Sequence, residues 1–158
     1  MKPALKIVAG GQTGVDRAAL EWALATGVPH GGWCPKGRQA EDGVIPSQFQ
    51  LRETGSSNYS IRTRRNVRDS GGTVIFSEGT ELTGGTQETA EFAKKIGKPL
   101  LHLVSSAGID EMATQLNAFL KEHGIVVLNF AGPRASEEPE VGQFVKAVLS
   151  HAWKSWIR

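Results

Sequence analysis

Short apolar runs alternate along the chain with longer segments in which apolar residues recur every three or four positions. Four of these runs are typical of buried strands, and they occupy residues 5–9, 73–76, 100–104 and 125–130. The longer segments have the spacing of amphipathic helices, most clearly over 109–120 and 141–156. Strands separated by helices predict βαβ units. Because such crossovers are right-handed, the pattern predicts an α/β fold with a Rossmann-like, doubly wound, mostly parallel sheet and helices on both faces.

Polar and glycine-containing clusters predict where the remaining elements begin and end. Residues 80–86 form a polar turn before a helix, and residues 60–69 are expected to be a helix that carries four arginines. The stretch 30–59 follows the alternation less well. It is expected to hold a short strand at 32–34 and otherwise a long loop, and long loops in small domains are usually functional or mobile. No repeat or linker composition occurs, so residues 1–158 are expected to form a single domain.

Composition and charge exclude several classes of protein. The formal net charge is only +2, which gives no sign of a bulk nucleic-acid binder. Cys34 is the single cysteine, so an internal disulfide and a cysteine-rich metal site are excluded, and a reducing cytoplasm is the expected location. The four histidines lack metal-ligand spacing, so no directly bound metal is expected. No signal peptide and no apolar run of membrane-spanning length is found, so no membrane partner is expected.

The first candidate for chemistry is the loop after the first strand, because ligands of open α/β sheets bind outside the carboxyl ends of the strands. Its glycines allow close approach of the backbone to a ligand, and amides at the start of the next helix attract anions. A threonine hydroxyl and a forked guanidinium suit phosphate. The alternative is a plain turn in which Asp16 only balances the helix dipole. The candidate ligand-binding residues are Gly10, Gly11, Gln12, Thr13, Gly14, Asp16 and Arg17.

Two further loops follow later strands and have the same two interpretations. In residues 83–89, Thr86 is expected to cap a helix and Glu88 to lie in its first turn. A second glycine-rich loop favours a shared phosphate or nucleotide pocket, although a cap and a glycine turn account for it equally simply. Residues 130–136 also have two interpretations. Either Arg134 reaches an anion, or the segment is a turn in which Ser136 caps the last helix. The candidate binding residues here are Gly84, Gly85, Thr86, Glu88 and Arg134.

Positive side chains elsewhere add countercharge candidates. Arg62 and Asn66 lie four residues apart and share a helix face, so Arg62 is expected to point inward to a phosphate, whereas the other arginines form a solvated face. Lys36 and Arg38 belong to a loop that is either a lid over an anionic ligand or a mere surface loop. The same loop contains Glu41 and Asp42, which point to opposite sides in an extended segment and make a poor acid/base pair.

Five segments of the chain resemble the molybdenum carrier family. These are residues 10–20 (GGQTGVDRAAL), 32–38 (GWCPKGR), Arg62-Thr63 with Asn66-Val67, Gly84-Gly85-Thr86 with Glu88, and 129–136 (NFAGPRAS). That family is similar to the SLOG group of Rossmann-like proteins, whose relatives include the LOG nucleoside-monophosphate phosphoribohydrolases, once mislabelled as lysine decarboxylases. The resemblance implies a parallel sheet, a ligand site at the two glycine loops and a homo-oligomer, either a dimer or a tetramer. An algal relative carries molybdenum cofactor, which it binds through the phosphate.

These observations lead to one preferred function and two alternatives. The preferred hypothesis is a binding or carrier protein for a phosphorylated small molecule, with molybdenum cofactor (molybdopterin) or its pterin precursor as ligand. The first alternative is a nucleoside-monophosphate N-glycosidase in which Arg62 and Glu88 are catalytic. Hydrolase relatives carry P-G-G-x-G-T-x-x-E, whereas this chain lacks the leading proline and places Glu88 only two residues after Thr86. The second alternative is an interaction module that senses a nucleotide.

Overall fold

The structure, a computed structural model, describes residues 5–156. Residues 1–4, on which part of the expectation of no signal peptide rests, lie outside the described residues. The helices are α1 (Val15–Thr26), α2 (Tyr59–Arg68), α3 (Gly84–Lys95), α4 (Ile109–His123) and α5 (Val141–Trp156). The strands are β1 (Lys6–Val8), β2 (His30–Gly31), β3 (Trp33–Cys34), β4 (Gln39–Ala40), β5 (Gly43–Val44), β6 (Arg52–Glu53), β7 (Gly72–Ser77), β8 (Leu100–Val104) and β9 (Val127–Ala131). Within 5–156, no helix combines the length and apolar character that crossing a bilayer requires.

A five-stranded parallel sheet forms the centre of the fold, in the order β2-β1-β9-β7-β8. Its register places Ile7 beside Leu128 and Val74 beside Phe130, and all four side chains are buried. Every residue of β7 is buried, as expected for a parallel strand covered on both faces. The predicted α/β, Rossmann-like, mostly parallel sheet is confirmed.

Helices cover both faces of this sheet. The β1–α1–β2 and β7–α3–β8 units progress in opposite directions across the sheet, so right-handed crossovers place α1 and α3 on opposite faces. Helix α5 packs against α1 and α4 on one face, and α2 packs against α3 on the other. Strand β9 lies between β1 and β7, and the chain leaves β9 and β7 toward different faces. A crevice therefore opens at the carboxyl ends of these strands, which is the usual ligand position in such sheets.

The region predicted as a long loop contains short strands as well. Strands β3 and β6 form a parallel pair, and β4 and β5 form an antiparallel hairpin. The short strand expected at 32–34 is present as β3. Ile45 and Phe49 are each 1% exposed and anchor the segment to the core. Pairs of two-residue strands have too few positions to show a hydrophobic period, so the pattern along the chain did not reveal them.

Helix α3 begins earlier than the sequence suggested. The amide of Gln87 donates to the Thr83 carbonyl at 3.2 Å, so the first helical turn already includes Gly84, Gly85 and Thr86. The expectation that Thr86 caps this helix was therefore wrong, because Thr83 holds that position. Glu88 lies beyond the first turn rather than in it.

Candidate functional site

A shallow, open cleft lies at the carboxyl edge of the sheet. Its walls come from the loops after β1 and β9, from α2 and from the start of α3. Seven of the lining residues were candidates from the sequence: Gln12, Asp16, Arg62, Gly85, Thr86, Glu88 and Arg134. The loops of three separate strands thus meet at one cleft, because parallel strands end at the same edge of the sheet.

The centre of the cleft wall is an ion pair between Asp16 and Arg62. Asp16 is 4% exposed, and its carboxylate lies 3.2 Å from Nη1 of Arg62. The same carboxylate oxygen accepts a hydrogen bond from the amide of Gln12 at 3.3 Å. Burial raises the pKa of Asp16, while Arg62 and the backbone amides of Gln12 and Gly10 oppose that rise. Arg62 does point inward, and Asp16 fixes its orientation.

The Arg62 guanidinium retains unused hydrogen-bonding capacity. Its Nε is buried and has no hydrogen-bond partner among residues 5–156. The guanidinium carbon lies 5.5 Å from the centroid of the Tyr59 ring. Leaving a buried N–H without a partner costs about 1–3 kcal/mol, and native structures rarely contain one. The Nε itself is closed to solvent, so a ligand in the cleft meets the exposed part of the guanidinium, and the Arg62 side chain as a whole is 14% exposed.

The glycines of the first loop are required by packing inside the protein. Gly14 has a φ of +82°, and a Cβ there would lie 2.3 Å from the Pro133 carbonyl oxygen. A Cβ on Gly11, whose φ is +86°, would lie 2.6 Å from Cδ1 of Ile45. The Arg62 side chain covers Gly10 in the same way. These glycines accommodate other parts of the chain and lie outside the cleft lining.

Two other first-loop candidates contact the hairpin β4–β5 instead of the cleft. Arg17 binds Asp42 through two hydrogen bonds of 2.9 and 3.1 Å. The hydroxyl of Thr13 donates to Glu41 and accepts from the amide of Ala135 at 3.0 Å. The structure therefore places both phosphate-suited groups beside carboxylates of the chain itself.

The remaining basic and amide candidates have positions apart from the cleft. Arg38 donates to the carbonyls of Pro46 and Phe49, each at 2.8 Å, and so supports its own loop from within. Lys36 is exposed. The lid role of both residues stays a prediction. Asn66 bonds the amide and the carbonyl of Trp33 at 2.8 and 2.9 Å, which joins α2 to β3.

The start of α3 supplies the second wall of the cleft. A Cβ built on Gly84 or on Gly85 would meet nothing within 4 Å in the described chain, so an approaching ligand could reach this backbone. Glu88 accepts a hydrogen bond from the Ser60 hydroxyl at 3.0 Å and lies 3.8 Å from Arg64. Amides of a first helical turn carry partial positive charge, which suits an anion.

The loop after β9 supplies the third wall. Arg134 lines the cleft and pairs with Glu137 at 3.4 Å. The expectation that Ser136 caps the last helix was wrong, because α5 begins only at Val141. A turn separates Ser136 from the start of α5. In that turn, the Arg134 carbonyl accepts hydrogen bonds from the amides of residues 137 and 138. Ser136 instead binds Glu41.

Seven lining residues were not among the sequence candidates: Tyr59, Ser60, Thr63, Thr89, Ala131, Gly132 and Glu137. Tyr59 and Thr63 lie close to Arg62 on α2. Because Tyr59 is three residues before Arg62, the two share a helix face, and that inward face was the signal in the sequence that could have identified these lining residues. No comparable signal marks Glu137, which reaches the cleft through its loop.

The cleft lining carries one more carboxylate than cations, so binding of an anion there depends on local contacts with the arginines. Arg62 and Arg134 are its cations, and Asp16, Glu88 and Glu137 its carboxylates, most of them already paired with each other or with neighbours. Within residues 5–156, no three His, Cys, Asp or Glu side chains lie close enough together to hold a metal ion. The strongest feature for a ligand is thus the buried guanidinium beside an accessible helix start.

Comparison with known proteins gives two matches. The family described as "Circularly permutated YpsA SLOG family" matches residues 7–153. The crystal structure of a "Putative molybdenum carrier protein" from Syntrophus aciditrophicus SB is 47% identical and superposes with a TM-score of 0.92. That similarity covers 96% of this chain and 97% of the other. No curated protein matches the chain. Both matches confirm the resemblance drawn from the sequence motifs.

Proposed function

Because the chain belongs to the circularly permutated YpsA SLOG family, we propose that it binds a phosphorylated small molecule, with molybdenum cofactor or its pterin precursor as cargo. The observation that carries this proposal is the Arg62 guanidinium, which lines the cleft beside the accessible start of α3. The name of the similar Syntrophus protein supports the choice of cargo.

The residues of the cleft fit a pterin phosphate. A phosphate oxygen would accept from the exposed part of the Arg62 guanidinium and from the first amides of α3 at Gly85 and Thr86. Arg134 would supply a second positive charge, and the Tyr59 ring an apolar surface for the heterocycle. These groups would hold the phosphate and the heterocycle of the ligand, and the ion pair with Asp16 would keep Arg62 in position to do so.

A nucleoside-monophosphate N-glycosidase remains the second candidate. The observation in its favour is that Glu88 lines the same cleft as Arg62 and is oriented by Ser60 at 3.0 Å. In such an enzyme, Arg62 would bind the phosphoribose and Glu88 would stabilise an oxocarbenium-like transition state or activate water. A third candidate, a nucleotide-sensing module, would use the same cleft with no turnover.

A thermal-shift panel separates these candidates. The purified protein is heated with AMP, GMP, a pterin phosphate, molybdenum cofactor or molybdate. A ligand at about 100 times its Kd stabilises a protein by roughly 2.7 kcal/mol. At about 2–4 °C per kcal/mol for a chain of this length, the melting temperature rises by several degrees. We expect the pterin compounds to produce this shift and molybdate alone to produce none.

Other outcomes count against the carrier proposal. Stabilisation by AMP or GMP with release of free base, abolished by Glu88→Gln, would establish the glycosidase. Stabilisation by a nucleotide with no base release would favour the sensing module. No shift with any compound would contradict binding of a phosphorylated ligand. Light scattering on the same samples tests the expected homo-oligomer.

A further inference from the structure

Two adjacent carboxylates of the hairpin β4–β5 bind the first loop and the loop after β9. Asp42 forms the two hydrogen bonds of 2.9 and 3.1 Å with Arg17. Glu41 accepts from the Thr13 hydroxyl, from the Ser136 hydroxyl at 2.6 Å and from the Ser136 amide at 3.1 Å. The two neighbouring side chains thus bind separate sets of donors.

These donors have the chemistry of an anion site. A forked guanidinium, two hydroxyls and a backbone amide are the groups that bind phosphate oxygens in proteins. The carboxylate oxygens of Glu41 and Asp42 occupy the positions that such oxygens would take. Hydrogen bonds from Ser136 and Thr13 lower the pKa of Glu41, and those from Arg17 lower the pKa of Asp42. The donors therefore favour a negatively charged partner.

Among the donors, Arg17 is held in place more firmly than the carboxylates. Arg17 also donates to the Gly11 carbonyl at 3.0 and 3.2 Å, and its side chain is 13% exposed. Asp42 is 48% exposed, and Glu41 is exposed as well. An anion from solvent could therefore replace the carboxylates without moving the guanidinium.

The same donors adjoin the cleft described above. The side-chain oxygen of Gln12, which lines the cleft, accepts from the amides of Thr13 and Glu41 at 3.0 and 2.9 Å. Ser136 lies in the same turn as Arg134, another lining residue. Displacement of the hairpin would widen the cleft toward these donors.

We propose that Thr13, Arg17 and Ser136 form a second anion subsite beside the cleft, and that Glu41 and Asp42 fill it as an internal ligand. A second anionic group on the bound molecule displaces them and opens the hairpin. The identity of that molecule rests on the proposed function, whereas the subsite itself can be tested with inorganic pyrophosphate.

The test compares pyrophosphate affinity in the wild-type protein and in the variant Glu41→Ala/Asp42→Ala by calorimetry. If the carboxylates fill the subsite about nine-tenths of the time, their removal strengthens binding about tenfold. Adding Arg17→Gln and Ser136→Ala should remove that gain. Gln48→Ala, an exposed position in the same segment, is the matched control and should change nothing. Circular dichroism verifies that each variant is folded.

A second measurement uses the unmodified protein. Hydrogen exchange at amides 39–44 should increase when pyrophosphate is added, because displaced carboxylates release the hairpin. Three results would each overturn the proposal. They are pyrophosphate affinity that does not increase in Glu41→Ala/Asp42→Ala, an increase that persists after Arg17 and Ser136 are also replaced, and hydrogen exchange at amides 39–44 that pyrophosphate does not change. The subsite and the proposed function can fail separately. If the protein does not bind pterin phosphate, but the gain in pyrophosphate affinity persists when Arg62→Gln is added, the subsite is supported and the proposed function is rejected.

Discussion

Gly10 lies directly beneath the Arg62 side chain, which makes Gly10→Ala a sharp perturbation of the cleft. A Cβ at position 10 would lie 2.0 Å from Nη1 and 2.6 Å from Cζ of Arg62. The backbone of Gly10 does not have a positive φ, so alanine is conformationally acceptable there. The three atoms nearest to the added methyl group all belong to the Arg62 side chain, which must therefore move.

The expected magnitude follows from these distances. Ordinary contact with a Cβ begins at 3.4 Å, so Nη1 has to retreat by about 1.4 Å. That movement breaks or lengthens the 3.2 Å ion pair with Asp16. Overpacking of this kind costs about 1–3 kcal/mol, and at roughly 2–4 °C per kcal/mol the melting temperature should fall by several degrees. The pKa of Asp16 should rise further, because Arg62 is the largest influence that lowers it.

The assay combines denaturant unfolding with an NMR titration of the Asp16 carboxyl carbon. Gly79→Ala is the matched control, since its φ is not positive and no described atom lies within 4 Å of the added methyl group. It should be close to neutral. Binding of pterin phosphate should weaken about 10–100-fold in Gly10→Ala, if Arg62 donates a charge-assisted hydrogen bond of about 1.5–3 kcal/mol. A variant as stable as Gly79→Ala, with an unshifted Asp16 pKa, would refute this placement of Arg62.

Three further substitutions test other parts of the structure. Gly14→Ala should cost about 3 kcal/mol or more in denaturant unfolding, because φ is +82° and the new Cβ meets the Pro133 carbonyl; a loss under about 1 kcal/mol would contradict this. Gly85→Ala should raise the unfolding free energy by up to about 1 kcal/mol, since the site is helical and open, while weakening ligand binding at the cleft; unchanged binding would exclude close approach there. Hydrogen bonds from Arg68 hold the pKa of Asp69 at about 2, below its ordinary value of 3.8. The stabilisation that the ionised Asp69 gives the folded protein is therefore present above pH 3.8 and lost as pH falls through about 2. Asp69→Asn should therefore be less stable at pH 6 by under about 1 kcal/mol, because both side chains are partly exposed, and the difference should shrink toward zero as pH falls below about 2; a constant difference would argue against this.

Sequence pattern was sufficient for four of the five strands of the central sheet because those strands are mostly apolar, whereas β2, with only His30 and Gly31, was not predicted. Strand β7 is buried at every position, and a short uninterrupted apolar run of this kind is typical of a parallel strand between two helical layers. Helix α5 was equally clear, since Val141, Val145, Val148 and Leu149 repeat at helical spacing and are all buried. The inward position of Arg62 followed from the same periodicity, which places it on one face with the buried Asn66.

Long-range polar contacts were beyond the reach of periodicity. Glu41 bonds Ser136 across 95 residues of sequence, and no local spacing indicates that partner. The role of Gly14 was equally hidden, because a glycine that faces a ligand and one that faces the Pro133 carbonyl look the same in a sequence. The early start of α3 was missed since glycines at positions 84 and 85 are poor helix formers and resemble a turn.

The most direct measurement is a calorimetric titration of a pterin phosphate into the wild-type protein, Arg62→Gln and Arg68→Gln. The two variants remove the same charge from the same helix, but Arg62 lines the cleft, whereas Arg68 is exposed and pairs with Asp69. We predict that Arg62→Gln binds about 10–100-fold more weakly and that Arg68→Gln binds like wild type. Equal affinity in all three proteins, or an equal loss in both variants, would contradict a phosphate site at Arg62.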